Sequence, residues 1–156
     1  MIVNDNLTWE DHIVLVKAKV CKNIGVIQKI RNNLSKNILQ LLYYTLIHPY
    51  FNYCNIIWAC QDNVHTQTLY RLQKKVIRLV TLAPWDSHSA PIFRRLNILN
   101  IFDINKLQVG CFVYKYLTGL LHFSFAYYFI RKSSIHMIDI RTIPYDYSLF
   151  LMIYIF

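Results

Sequence analysis

The chain has 156 residues, 55% of them hydrophobic, with 17 Lys+Arg against 8 Asp+Glu and a formal net charge of +9. That length supports one domain with a real core, and the excess of base suits a nucleic-acid or anionic-surface binder. Three glycines and four prolines argue against disorder, a Gly-rich phosphate loop or an all-β fold built on tight turns.

Thr8-Trp9-Glu10-Asp11 has the pattern of a capping box, with two acids in a helix's first turn. Ile13, Val16, Val20, Ile24, Ile27, Ile30 and Leu34 then recur at spacings of three and four, predicting an amphipathic helix of about twenty residues. Lys19, Lys22 and Lys29 fall on its other side, and Gly25 marks a bend. Ser35 is placed to cap SKNILQLLYYTLIH, a helix apolar on nearly every side and so expected to be buried. Pro49 stops or kinks that helix and is well placed at the start of the next. A helix over about 64–82 carries an apolar stripe of Leu69, Leu72, Val76 and Leu79 and a basic one of Arg71, Lys75 and Arg78. APWDSHSAP (83–91) reads as a loop. A short helix near 91–96 and a longer one near 103–121 follow, the latter with Asp103 as N-cap and Gly119 near its end. Beyond it the helical period is lost, and one short helix near 123–131 followed by irregular chain is expected. The fold class predicted is all-α: a bundle of about five to six helices over 1–121, then a weakly structured tail over 122–156.

No apolar run reaches the length of a bilayer span; the longest, SLFLMIYIF, has nine residues. No membrane partner is expected. The N-terminal stretch is not patterned as a secretory signal, so the four cysteines are expected to be reduced thiols and the chain intracellular, in the nucleus or cytoplasm. The carboxylates are scattered, without the converging pairs or triads that acid–base or metal-ion catalysis requires. His48, Cys54, Cys60 and His65 lack the tight knuckle of a zinc site and are read as core residues. Cys21 and Cys111 are read as core, and His136 as a surface or capping residue. No catalytic residue, metal site or cofactor is assigned.

Charge is distributed unevenly. Between His12 and Trp85 there are ten Lys/Arg and one acid, Asp62. In LYRLQKKVIRLV (69–80), Arg71, Lys74, Lys75 and Arg78 have no carboxylate a turn away to offset their repulsion. A solvated face and a membrane-surface face are both open, but the imbalance favours contact with phosphates.

Six segments in order carry a family resemblance: LTWEDHI (7–13), NIGVIQKIR (23–31), LLYYTLIHPYFNYCNIIWA (41–59), LYRLQKKVIRLVT (69–81), PIFRRLNILNIFDI (91–104) and IHMIDIR (135–141). Over about residues 2–142 the chain resembles the C-terminal part of non-LTR retrotransposon (LINE, Jockey-like) reverse transcriptases, which are RNA-directed DNA polymerases. The resemblance implies a thumb region and the helical connection after it. It makes Lys22, Lys29, Arg71, Lys74, Lys75 and Arg78 candidate contacts to the backbone of RNA or an RNA–DNA duplex. It also places the catalytic aspartate turn in a palm upstream of this chain, so no polymerisation is expected of the chain alone, and that palm is a second expected partner. The other readings are a small helical protein-interaction module and a functionless remnant of a decayed element.

Overall fold

The computed structural model of the chain describes residues 1–59, 64–131 and 150–152. The fold is all-α. Among the described residues there are seven α-helices: α1 (Glu10–Ile30), α2 (Lys36–Leu46), α3 (His48–Asn52), α4 (Asn55–Trp58), α5 (Val64–Thr81), α6 (Ser89–Leu96) and α7 (Ile101–Leu117). A 3-10 turn at Arg31–Asn33 extends α1, and another covers Phe123–Tyr128. A three-residue antiparallel pairing of Phe129–Arg131 with Phe150–Met152 follows. No helix among the described residues is long and apolar enough to cross a membrane. The chain divides into two compact units, Met1–Gln108 and Val109–Phe156, and the division falls within α7.

In the first unit, α5 packs against both α1 and α2. The helical period explains why. Ile13, Val16, Val20, Ile24 and Ile27 form one buried face of α1, and Leu69, Gln73, Val76, Ile77 and Val80 form one on α5. Tyr43, Phe51 and Trp58 add the largest buried side chains, and the Trp58 indole N–H donates to the Tyr53 carbonyl at 2.8 Å. Polar side chains satisfy backbone groups where helices end. Asn23 on α1 donates to the Leu46 carbonyl in the last turn of α2 at 2.6 Å. At the start of α7, Asn100 Oδ1 accepts from the amides of Phe102 and Asp103 at 2.9 and 3.0 Å.

Three helices end in the same way. After α5, Leu82 N–H donates to Leu79 O and Ala83 N–H to Arg78 O; after α6, Asn97 pairs with Arg94 and Ile98 with Phe93; after α7, Gly119 pairs with Tyr116 and Leu120 with Lys115. This is the Schellman arrangement, which needs a left-handed residue just past the helix. Gly119 (φ 70°) takes that conformation freely and Asn97 (φ 51°) tolerates it, but Leu82 (φ 55°) does so under strain.

Several expectations are corrected here. The helix start at Thr8 is displaced by one residue: Trp9 occupies the N-cap in a left-handed conformation without a side-chain cap, because Asn4 already holds the Thr8 amide at 2.9 Å and its hydroxyl at 2.6 Å. Asn100, not Asp103, caps α7, which begins two residues early. Gly25 lies inside α1, which continues through it without interruption. The helix α2 is not buried on every side: Leu39 and Tyr43 are enclosed, whereas Ile38, Leu41 and Tyr44 are exposed, Leu41 by 61%. Its partners cover only the face that carries Leu39 and Tyr43. Cys21 and Cys111 are exposed, not core, while Cys54 is half-buried against the core. Cys60, His136 and the 135–141 segment lie outside the described residues.

Candidate nucleic-acid interface

Helix α5 sorts its side chains by a 100° step. With Gln73, Val76, Ile77 and Val80 turned to the core, Arg71, Lys74, Lys75 and Arg78 share the opposite face. Arg71 and Lys75 are exposed, and Lys74 and Arg78 are half-buried. Four pairs among them stand three or four residues apart, so the row repels itself by roughly 0.2–0.5 kcal/mol per pair. No carboxylate among the described residues pairs with it. Among the described residues the one ion pair is His65 with Glu10 at 3.5 Å. Lys74 leans back along the helix, its ammonium 4.5 Å from the centre of the Tyr70 ring. Arg78 points the other way, its Nε donating to the Ser87 carbonyl at 2.8 Å.

That last bond helps shape a groove. Arg78, Lys75, Leu79 and Leu82 on and just past α5, Gln28, Arg31 and Asn32 at the end of α1, and Ala83, Pro84 and Trp85 enclose a cleft of about 670 Å³. Three cations line it without a carboxylate. Trp85 stands at its edge, 88% exposed.

The six nominated residues are therefore not one surface. Arg71, Lys74, Lys75 and Arg78 form a continuous row, two of them reaching the groove. Lys22 and Lys29 are exposed and seven residues apart on α1, so they share a face with each other. That face lies opposite the one formed by Val20, Ile24 and Ile27, and neither lysine lines the groove.

Arg31, Gln28, Asn32 and Trp85 complete the groove but were not singled out by the sequence. The signal available for Trp85 was a lone large aromatic between Pro84 and Asp86 in a loop, where no periodic apolar face claims it. Arg31 carried no such signal, because only the packing of α1 on α5 brings it near residues more than forty positions away.

A second, more apolar cleft of about 480 Å³ has His12, Val16, Lys19, Pro49 and Tyr50 among its lining residues. The Ile2 amide donates to His12 Nδ1 at 3.4 Å, and buried Nε2 has no hydrogen-bond partner. Burial holds the His12 imidazole below its ordinary value of 6.5, helped by the N-terminal amine and Lys19. Burial alone lowers His48 in the same direction. No three His, Cys, Asp or Glu side chains converge on a metal-sized space among the described residues. Comparison with protein-family models, curated proteins and solved structures finds no match.

Proposed function

We propose that this chain is a non-catalytic, thumb-like part of a retrotransposon reverse transcriptase that holds the phosphate backbone of RNA or an RNA–DNA duplex through α5. The observation that carries the reading is the row Arg71–Lys74–Lys75–Arg78 on one solvent face with no carboxylate among it. Phosphate contact requires positive charge fixed in position and no base identity. A polyanion laid along α5 relieves the row's self-repulsion, so binding and helix stability reinforce one another. The all-α architecture and the six ordered segments support the same reading.

Binding to a labelled RNA–DNA primer–template duplex across a salt series tests it. With four to six phosphates neutralised, log affinity falls against log salt with a slope of roughly −3 to −5. Absence of binding at low salt overturns the reading.

One observation favours a second role as a protein-interaction module. Ile38, Leu41 and Tyr44 on α2 leave an apolar strip in solvent, and such strips mark interaction surfaces. A reverse-transcriptase palm is the partner this reading names. Concentration-dependent self-association, abolished by Leu41→Lys, supports it, and a monodisperse chain at high concentration contradicts it.

A further inference from the structure

Resting on the nucleic-acid reading above, we propose that the groove between the ends of α1 and α5 is a subsite for one unpaired nucleotide. Its base stacks on Trp85, and the flanking phosphates are held by Arg31, Lys75 and Arg78.

The first ground is the placement of Trp85. Trp58 is buried and Trp9 is half-buried, yet Trp85 stands 88% in water beside three cations. An exposed indole that lines a groove of three cations offers a π-face for stacking within reach of groups that hold phosphate.

The second ground is that the loop bearing it is fixed at both ends. Ala83 N–H donates to Arg78 O at 3.0 Å, Ser87 N–H donates to Pro84 O at 3.2 Å, and Arg78 Nε donates to Ser87 O at 2.8 Å. Left-handed Leu82 and the ring of Pro84 restrict the backbone leading into Trp85. The backbone that carries the indole is thus fixed in advance, so stacking does not require the loop to be ordered first. Arg78 ties this loop to the basic row, its guanidinium anchoring the turn with one edge while it lines the groove.

The third ground is the lining itself. The Gln28 and Asn32 amides both donate and accept, so they suit the edge of any base. Asp86, next to Trp85, is exposed and does not line the groove. At about 670 Å³ the cleft falls in the size range of small-ligand sites.

These features select an unpaired base over a duplex. In a double helix the π-faces are covered by neighbouring base pairs, whereas a single strand exposes them to aromatic side chains. A groove of positive charge with one aromatic platform is the minimal form of that recognition, and it tolerates any sequence.

The test compares a fluorescein-labelled 12-nucleotide oligo(dT) with an RNA–DNA duplex, titrated with the full chain, wild type and the Trp85→Ala and Trp85→Phe variants. Because Trp85 is exposed and outside the core, its replacement leaves the fold intact. Trp85→Ala is expected to weaken oligo(dT) binding by roughly 5- to 150-fold, the range for losing one base–aromatic stack. Trp85→Phe recovers part of that loss, and duplex affinity stays within about twofold for both variants. Intrinsic tryptophan emission is quenched by oligo(dT) in the wild type and loses that component in Trp85→Ala. If Trp85→Ala binds oligo(dT) as the wild type does while duplex binding persists, the subsite is wrong and the backbone-binding function stands. If the wild type binds neither nucleic acid, both are overturned.

Discussion

Gln73 and Tyr43 meet inside the protein: the Gln73 amide donates to the Tyr43 hydroxyl at 3.0 Å, with both side chains fully buried. Gln73 also donates to the Leu99 carbonyl at 3.0 Å and accepts from the Ile101 amide at 2.9 Å. One side chain on the core face of α5 therefore ties together α2, the segment after α6 and the first turn of α7. Its opposite face is the basic row, so the internal anchor and the external charge share one rigid helix.

Replacing this glutamine should be costly. Gln73→Leu leaves the buried Ile101 amide, the part-buried Leu99 carbonyl and the buried Tyr43 phenol without their partner, at ~1–3 kcal/mol for each fully buried loss. A destabilisation of about 3 kcal/mol is expected from denaturant unfolding. Tyr43→Phe removes only one acceptor and should cost about 1 kcal/mol. Equal effects for the two variants would contradict Gln73's role as the hub.

Two backbone positions should respond in opposite ways to glycine. Leu82 holds a left-handed conformation that glycine adopts without strain, and its side chain is 44% exposed. Leu82→Gly should therefore raise stability by about 1 kcal/mol. Gly25 sits within α1, and apart from its chain neighbours and its own helix backbone no atom lies within 4 Å of where a Cβ would stand. Gly25→Ala should also stabilise, by about 1 kcal/mol. Unfolding midpoints of the two variants and their combination check both, and additivity is expected because the sites share no partner.

Stability should fall on acidification because of His12 and His48. Burial lowers both below the ordinary 6.5, so the folded chain keeps them neutral where the unfolded chain binds protons. Their contribution is present above 6.5 and is lost as pH falls through that value toward the lowered folded one. Protonating His12 Nδ1 also removes its acceptor role toward the Ile2 amide. Urea unfolding at pH 7.5 and pH 5.5 should show a lower midpoint at pH 5.5, and His12→Gln should shrink the difference. An undiminished difference in that variant would absolve His12.

The helical content was legible in the sequence because apolar spacing of three and four needs no knowledge of partners. The span of α5 and its basic face followed from spacing alone. The rotation of its core face did not: Leu72, expected inside, is half-buried, while Gln73 is fully enclosed. A polar residue at the centre of a core face is invisible until the groups it bonds, here Tyr43, Leu99 and Ile101, are placed around it. Helix starts were misread where a competing side chain sat nearby, Asn4 taking Thr8 and Asn100 pre-empting Asp103. The burial of α2 was overestimated because composition cannot say which sides of an apolar helix will find a neighbour. The row on α5 was readable from local sequence, but the groove was not, since Arg31 meets Lys75 and Arg78 only through packing.

The most direct measurement of the central claim is the salt dependence of RNA–DNA duplex binding for the wild type against Lys75→Glu/Arg78→Glu. Loss of two phosphate contacts should flatten the slope of log affinity against log salt by about 2 units. Lys22→Glu/Lys29→Glu, on a separate face of α1, should change it less. A slope unchanged by reversing Lys75 and Arg78 would contradict the account and remove α5 as the surface that holds the nucleic acid.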